Sequence, residues 1–257
     1  MSSMDSDILL IYLQVLSYNS KVNPLNKCLF IRLAKLLFGD PNIQIDHLIT
    51  DSRLASVTHG SLFIAVAGKN HNGHIFIDDL YNRGVRSFLV SDYSDGLKKH
   101  PDAGFVVVNN TLDALQQLAA WHRRQFNAKI IAITGSNGKT IVKEWLYHCL
   151  CNKYSIVRSP KSYNSQLGVP LSLMLLDESS ELGIFEAGIS LSAEMEKLEE
   201  MILPDTGIFT NIGEAHQENF TSMEEKVAEK LKLFVHCKNL IYCCWMSQPM
   251  ESMPVPS

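Results

Sequence analysis

One stretch, Lys129–Thr140, contains residues whose types and spacing suit phosphate binding. It reads K-I-I-A-I-T-G-S-N-G-K-T. Its glycines permit a tight turn, because glycine adopts positive φ without steric cost. Backbone N–H groups of such a turn face an anion, the lysine adds a positive charge, and the threonine hydroxyl can hold Mg²⁺. The predicted nucleotide-binding residues are Gly135, Ser136, Asn137, Gly138, Lys139 and Thr140.

The spacing of this loop departs from the general phosphate-loop pattern. G-x-x-x-x-G-K-[ST] requires a glycine five residues before Gly138, and Ile133 stands there, which leaves the shorter G-x-x-G-K-T. An ordinary glycine turn beside a surface lysine is the alternative. The apolar, β-branched run before the loop predicts a buried strand, and apolar residues at helical spacing over Ile141–Leu150 predict a helix after it. This strand–turn–helix context favours nucleotide binding.

Glu186 is a candidate metal ligand near the same loop. It ends a predicted strand, Gly183–Glu186, and is followed by Ala187-Gly188, which leaves space beside its side chain. In open α/β sheets ligands lie beyond the carboxyl ends of the strands. A carboxylate there can complete a Mg²⁺ shell begun by Thr140. By itself a glutamate at a strand end is more often solvated, and the neighbouring phosphate loop favours a ligand.

Two further residues and one loop follow at the same end of the predicted sheet. His216 lies in T-N-I-G-E-A-H, just past the next predicted strand, and Lys230 lies on the following predicted helix. Taken alone, the histidine is structural or exposed and the lysine is an exposed helix residue. Ser159–Pro170 is a loop long enough to contact a substrate, or simply a connection.

The order of elements predicts an α/β fold. Strands alternate with helices, which implies right-handed crossovers and a mainly parallel sheet. We expect a small N-terminal α/β domain over 1–110, a central domain over 111–243 that begins with an amphipathic helix, and an unmatched tail over 244–257. The predicted strands are 43–50, 61–66, 87–91, 105–108, 130–133, 155–157, 183–186, 206–210 and 239–243, and the main predicted helices are 75–83, 111–126, 141–150, 169–176, 193–201 and 223–234.

Composition narrows the function classes. The 257 residues are 46% hydrophobic and 19% charged with net charge −4, so a core can form and nothing favours nucleic acid. Six cysteines contain no C-x-x-C pair, which indicates reduced thiols. The apolar run Ile8–Leu16 is too short to span a bilayer, and its acidic flank does not suit a signal peptide. We expect a cytoplasmic protein without a membrane partner.

Four motifs together resemble the Mur ligase family of peptidoglycan synthesis. They are T-D-S-R at 50–53, T-G-S-N-G-K-T at 134–140, E-A-G at 186–188 and N-I-G-E-A-H at 211–216. The short phosphate loop is the form that this family uses. The run S-P-K-S-Y-N-S-Q-L-G-V-P-L-S from Ser159 resembles the members that add D-alanyl-D-alanine to UDP-N-acetylmuramoyl-tripeptide, particularly those fused to an alanine racemase. The resemblance covers about Leu33 to Tyr242, and residues 1–32 match poorly.

The resemblance implies a role for each matching residue. Lys139 would hold the β- and γ-phosphates of ATP, Thr140 and Glu186 a first Mg²⁺, and His216 a second. A carbamylated lysine supports that second ion in the family, and its position here is Lys230. The residues implied at the UDP end of the substrate are Ser52, Arg53, Asn70 and His71, and Asn164 would face the phosphate and acceptor region. ATP would phosphorylate the peptide carboxylate, and the dipeptide amine would then displace phosphate.

The resemblance also bears on how much of a family member's length this chain covers. Family members have a third, C-terminal domain that closes over ATP, and this chain stops before it, as it does before any racemase part. We therefore expect a fragment that retains the UDP and phosphate sites and does not complete ligation. The alternatives are a non-catalytic nucleotide- or UDP-sugar-binding remnant, a Mur ligase that adds a different amino acid, and a folylpolyglutamate-type enzyme, against which T-D-S-R argues.

Overall fold

The computed structural model describes residues 45, 47–53, 60–68, 71–92, 94–213 and 219–242. They belong to two compact units that divide between Leu115 and Gln116. Expectations for residues 1–44 and for the tail 244–257 lie outside the described residues. Within the described part of the chain, no helix has the length and apolar character needed to cross a membrane.

The N-terminal unit contains a parallel sheet of four short strands in the order β1-β2-β5-β6. Its strands are β1 His47–Ile49, β2 Ser61–Ile64, β5 Ser87–Val90 and β6 Gly104–Val107. Every residue of β2 and β5 is buried, as expected of parallel strands covered on both faces. The core around them includes stacked rings of Phe88 and Phe105.

Short elements lie between β2 and β5 among the described residues. β3 (Ala67–Gly68) and β4 (His71–Asn72) pair as a small antiparallel ladder. A 3-10 turn, Gly73–Phe76, leads into helix α1 (Ile77–Asn82). The Asn72 side chain caps that turn by accepting the N–H of His74. A second 3-10 turn spans Asp95–Lys99.

The C-terminal unit is built on a five-stranded sheet whose pairs are all parallel, in the order β11-β10-β7-β9-β8. The strands are β7 Lys129–Thr134, β8 Ile156–Arg158, β9 Leu182–Glu186, β10 Thr206–Phe209 and β11 Asn239–Tyr242. The helices are α2 Thr111–Arg123, α3 Lys139–Leu150, α4 Gly168–Leu173, α5 Glu194–Ile202 and α6 Met223–Leu231, with a 3-10 turn at Lys232–Phe234. Helix α2 begins before the division between the units. The parallel α/β fold predicted from the element order is confirmed.

Two apolar layers cover the faces of this sheet. Successive strand residues point to opposite faces, so Ile130 and Ala132 join one cluster while Ile133 joins the other. The first layer includes α4 and α5, and the second is formed with α3 through Val142 and Leu146. The strands that lead into the candidate site, β7 and β9, are therefore held between two packed layers.

Helix α3 differs from its sequence pattern. The apolar spacing over 141–150 predicts an inward apolar stripe, yet Ile141 and Trp145 are 58% and 68% exposed. The residue of α3 that is completely buried is Lys143. The prediction of a helix is confirmed, and its buried face is partly polar because it adjoins the candidate site.

Candidate nucleotide and metal site

The glycine loop follows β7, the central strand, and lies between the ends of β9 and β10. Gly135 and Gly138 have φ values of +143° and +82°, which confirms that the turn needs glycine. Gly135 also has no room for a side chain. A Cβ there would lie 2.0 Å from Thr210 Oγ1 and 2.9 Å from Asn211 O.

The segment after β10 holds the loop by hydrogen bonds. Ser136 N donates to Asn211 O at 2.8 Å, and Asn137 N donates to the Asn211 side-chain oxygen at 2.8 Å. Thr210 Oγ1 donates to Asn137 O at 2.6 Å, and Gly213 N donates to Ser136 Oγ at 2.9 Å. The N–H groups of Ser136 and Asn137 are therefore used internally. Helix geometry leaves the first N–H groups of α3 without intrahelical acceptors, and these are the ones suited to an anion.

Three lysine side chains reach carbonyl groups of the glycine loop or of the segment after β10 that holds it. Lys139 Nζ donates to Gly135 O at 2.8 Å, and Lys230 Nζ lies 3.5 Å from the same oxygen. Lys226 Nζ donates to Gly213 O. Lys226 and Lys230 are 1% and 4% exposed, so the composition-based view of Lys230 as an exposed helix lysine is wrong. Tertiary packing of α6 against the loop buries both.

Burial and mutual repulsion change the acidity of these ammonium groups. Burial, together with the smaller effect of the charges of Lys139 and Lys226, lowers the pKa of Lys230 to about 8. Burial also lowers the pKa of Lys139, while the Glu186 carboxylate opposes that shift. Positive charge concentrated in a desolvated recess attracts polyphosphate strongly.

A carboxylate meets the hydroxyl of the loop on the other side. Glu186, at the end of β9, is completely buried, and Thr140 Oγ1 donates to its Oε2 at 3.1 Å. Asn164 Nδ2 lies 3.4 Å from the same oxygen. Asn164 lies where the sequence predicted space beside Glu186: a Cβ at Gly188 would lie 3.1 Å from the Asn164 side chain, and the backbone oxygen of Asn164 accepts the N–H of Gly188 at 2.7 Å. The structure thus brings together Thr140, Glu186 and Asn164.

Sequence reasoning missed Lys143. Its ammonium group lies 3.0 Å from Glu186 Oε1 and donates to Ser159 O at 2.8 Å. Glu186 Oε1 accepts no hydrogen bond of good angle from the described residues, so the contact is an ion pair. A signal was available, because Lys143 follows Thr140 by three residues and so shares its helix face.

The donor set fits Mg²⁺. This cation prefers oxygen ligands and uses one or two protein groups together with phosphates and water. A buried carboxylate beside a hydroxyl supplies such groups, at Glu186 and Thr140. Among the described residues there is no cluster of three His, Cys, Asp or Glu side chains suited to a metal.

His216, predicted for the second ion, and the residues predicted for the UDP end of the substrate are not brought together with this site by the described part of the structure. His216 and Asn70 lie outside the described residues, and only the backbone of His71 is described, paired with Gly68 in the small ladder. Ser52 is buried and its carbonyl oxygen accepts a hydrogen bond from Arg83. Arg53 is exposed and pairs with Asp51 at 2.7 Å. These residues belong to the N-terminal unit, and their substrate role stays a prediction.

Comparison with known proteins decides the family. The model of the Mur ligase middle domain matches residues 133–253, which include the glycine loop, β9 and α6. The chain belongs to the Mur ligase family. It is 31% identical over 190 residues to the UDP-N-acetylmuramoyl-tripeptide–D-alanyl-D-alanine ligase of Bacillus subtilis, and 36% identical over 178 residues to that of Rickettsia prowazekii. These alignments cover 74% and 69% of this chain and 40% and 39% of the relatives.

Solved Mur ligases resemble this one in structure as well. MurF from Acinetobacter baumannii superposes with a TM-score of 0.69 at 29% identity, over 75% of this chain and 41% of that chain. MurF ligase from Thermotoga maritima, solved in complex with ADP, gives 0.66 at 29% identity, over 78% and 45%. This Mur ligase chain spans about two fifths of the length of the relatives that it matches.

Proposed function

We propose that this chain is part of an ATP-dependent ligase that adds D-alanyl-D-alanine to UDP-N-acetylmuramoyl-tripeptide. The meeting of Lys139, Thr140 and Glu186 at the carboxyl ends of β7 and β9 carries the proposal. The relatives named above support the choice of substrates over a Mur ligase that adds a different amino acid. The reaction forms an acyl phosphate at the peptide carboxylate, and the dipeptide amine then displaces phosphate.

ATP and Mg²⁺ fit the glycine loop. Lys139 and the first N–H groups of α3 would hold the terminal phosphates, and Thr140 with Glu186 would hold the ion. When bound, the ion would neutralise negative charge on the transferred phosphoryl group. The related ligase from Thermotoga maritima was solved with ADP, which supports a nucleotide at this place. Asn164 would present its amide to the same phosphate and acceptor region.

A second Mg²⁺ at His216 and a carbamylated Lys230 complete the proposal. Carbamylation converts an ammonium group into an oxygen ligand, and it requires the neutral amine. The lowered pKa of Lys230, about 8, supports this because a larger fraction of the amine is neutral near that pH. Lys230 is also held within 3.5 Å of a carbonyl oxygen of the glycine loop.

The N-terminal unit would bind the UDP end of the substrate, through Ser52, Arg53, Asn70 and His71. The division into domains at 1–110, 111–243 and 244–257 stays a prediction. A cytoplasmic location belongs to the same proposal, and free thiols at Cys149, Cys151 and Cys237 among the described residues support it, because disulfides are rare in reducing compartments.

The proposal predicts that Lys139→Ala weakens Mg-ADP binding by at least about tenfold, since a buried charge-assisted contact to phosphate is lost. Titration calorimetry on the 257-residue chain measures this. Lys153→Ala is the matched control, because Lys153 is exposed in the turn after α3. Equal ADP affinity in wild type and Lys139→Ala would refute the phosphate-loop assignment.

A second measurement separates ligation from nucleotide binding alone. The chain is mixed with Mg-ATP, UDP-N-acetylmuramoyl-tripeptide and bicarbonate, and ADP release is followed with and without D-alanyl-D-alanine. Dipeptide-dependent release supports a ligase that is complete in this chain. Nucleotide binding without ADP release supports a non-catalytic nucleotide-binding remnant, or a ligase that needs a further part of the protein.

A further inference from the structure

Lys143 is a buried cation that the proposed function leaves without a role. It is 0% exposed, and its ammonium group is surrounded by oxygen atoms. Ser159 O lies at 2.8 Å, Glu186 Oε1 at 3.0 Å and Glu144 Oε1 at 3.2 Å, and Lys161 O accepts a further hydrogen bond. Burying an ammonium group is unfavourable unless it is paired and hydrogen-bonded in this way. The neighbours of Lys143 therefore determine its position closely.

The two oxygens of Glu186 have different partners. Oε1 lies against Lys143, while Oε2 accepts from Thr140 and lies near Asn164. A turn of the carboxylate plane away from this orientation would weaken both sets of contacts, because each set needs one oxygen on its own side. The backbone N–H of Glu186 also donates to Ser159 Oγ at 3.1 Å, so the end of β9 and the segment after β8 are joined directly as well as through Lys143.

We propose that Lys143 is a positioning residue for the metal and phosphate site. Its ammonium group orients Glu186 so that Oε2 points to Thr140, where the ion would bind. Lys143 also donates hydrogen bonds to the carbonyl groups of Ser159 and Lys161. These bonds anchor to α3 the segment that leads to Asn164. This inference rests on the proposed function, because it concerns the same Mg²⁺ ligand.

The ion pairs extend outward from Lys143 and provide a control position. Glu144 also pairs with Arg158 at 3.1 Å, and its side chain is 35% exposed. The charges thus alternate from Arg158 through Glu144 and Lys143 to Glu186. Glu144→Gln removes an outer carboxylate that also contacts Lys143 and leaves Glu186 in place. It therefore tests whether any disturbance of the network is enough to alter the metal site.

The experiment measures how much Mn²⁺, used in place of Mg²⁺, tightens ADP binding to the full chain. The affinity with saturating Mn²⁺ is divided by the affinity in chelator, for wild type, Lys143→Met and Glu144→Gln. Loss of a group that orients a metal ligand typically costs about 10- to 100-fold in metal affinity. We expect Lys143→Met to reduce the metal-dependent gain by at least about tenfold, with little change in metal-free ADP affinity, and Glu144→Gln to retain the gain.

A double-mutant cycle distinguishes positioning from a general structural role. In a Glu186→Gln background the carboxylate is already absent, so adding Lys143→Met should change the metal-dependent gain less than about twofold. An equal loss in both backgrounds would overturn the inference. Circular dichroism and thermal unfolding show that each variant is folded. If Lys143→Met does not fold, Lys143→Met/Glu144→Gln, which removes one of the two carboxylates that lose their ion pair with Lys143, is compared with Glu144→Gln.

The failures of the two proposals are distinguishable. A wild-type chain whose ADP affinity does not respond to Mn²⁺ contradicts the proposed metal site, and this inference with it. A wild-type chain that responds, together with a folded Lys143→Met variant that responds equally, overturns the positioning role alone. Loss in Lys143→Met with retention in Glu144→Gln supports both.

Discussion

At the scale of single residues, the site depends on side chains held in desolvated positions. Lys226 and Lys230 are buried beside the glycine loop, and Lys143 and Glu186 are buried beside its threonine. Charged groups rarely occupy such positions unless they are paired. Small changes of shape or charge at these residues should therefore alter ligand binding more than they would at the surface.

Gly135 provides a test of shape. In Gly135→Ala the new methyl group would meet Thr210 Oγ1 and the Asn211 backbone, at a φ that alanine rarely adopts. We expect ADP affinity to fall at least about tenfold and unfolding free energy to fall by about 2 kcal/mol or more. Calorimetry and denaturant unfolding measure the two effects.

Gly84→Ala is the matched control for that substitution. Gly84 also has a positive φ, +105°, but a methyl group there would meet nothing within 4 Å. It should show the cost of the backbone conformation alone and leave ADP affinity unchanged. A Gly135→Ala variant that behaves like Gly84→Ala would contradict the close approach of the loop to Thr210.

Lys230 provides a test of charge. Its lowered pKa, about 8, means that the neutral amine becomes abundant as pH rises through that value, whereas an ordinary lysine stays protonated until about pH 10. The amine forms a bond to CO₂ and releases a proton. With ¹³C-labelled CO₂ at constant dissolved concentration, we expect a carbamate NMR signal that grows between about pH 7 and 9.

The assignment of that signal depends on two variants. Lys230→Met should remove the resonance. Lys232→Met should retain it, because Lys232 is more exposed and pairs with Glu196 and Glu229. A signal that persists in Lys230→Met would place the carbamate elsewhere and contradict the proposal.

At the scale of elements, the packing of β10 against the chain after α6 positions the buried lysines. Gly207 of β10 faces the Phe234 ring, and a Cβ at Gly207 would lie 2.2 Å from that ring. Phe234 belongs to the 3-10 turn that directly continues α6. The distance between this strand and this turn therefore influences where α6 carries Lys226 and Lys230.

Gly207→Ala should force the Phe234 ring to move. Overpacking of this kind costs typically about 1–3 kcal/mol, so we expect a loss of that size in the free energy of unfolding. The same substitution in a Phe234→Leu background should cost less, because the smaller side chain leaves room. Denaturant unfolding of the four chains gives the comparison, and an equal cost in both backgrounds would show that this contact does not set the spacing.

At the scale of the whole molecule, the two units should respond to different ligands. The glycine loop and its partners lie in the C-terminal unit, whereas T-D-S-R lies in the N-terminal unit. Hydrogen exchange followed by mass spectrometry can assign protection to each unit separately. The experiment therefore tests the assignment of ligands to units without assuming how the units are arranged.

We expect Mg-ADP to slow amide exchange at 135–142 and 210–213 and to leave 47–107 unchanged. UDP-N-acetylmuramoyl-tripeptide should slow exchange in the N-terminal unit, around 60–91. Lys139→Ala, mixed with the same concentration of Mg-ADP, is the control that should show less protection than wild type. Protection by Mg-ADP confined to the N-terminal unit would contradict the proposed nucleotide site.

Local patterns were sufficient to predict much of this protein. The strand, glycine turn and helix of Lys129–Leu150 form a contiguous signal, because the residue types of each part favour the backbone conformation that the part adopts. Alternating strands and helices predicted the parallel sheets. The pairing of Thr140 with Glu186 also followed, because the carboxyl ends of neighbouring parallel strands meet at one edge.

The sequence by itself therefore determined the fold class, the glycine loop and the carboxylate that faces it. Only the tertiary structure decided that Lys143, Lys226 and Lys230 are buried, that Asn211 accepts hydrogen bonds from the N–H groups of Ser136 and Asn137, and that 67–68 pair with 71–72 as a ladder. The physical reason is that a lysine on a helix has the same local propensity whether it is buried or exposed. Its environment comes from segments distant in the chain, and no local pattern records which of them will pack against it.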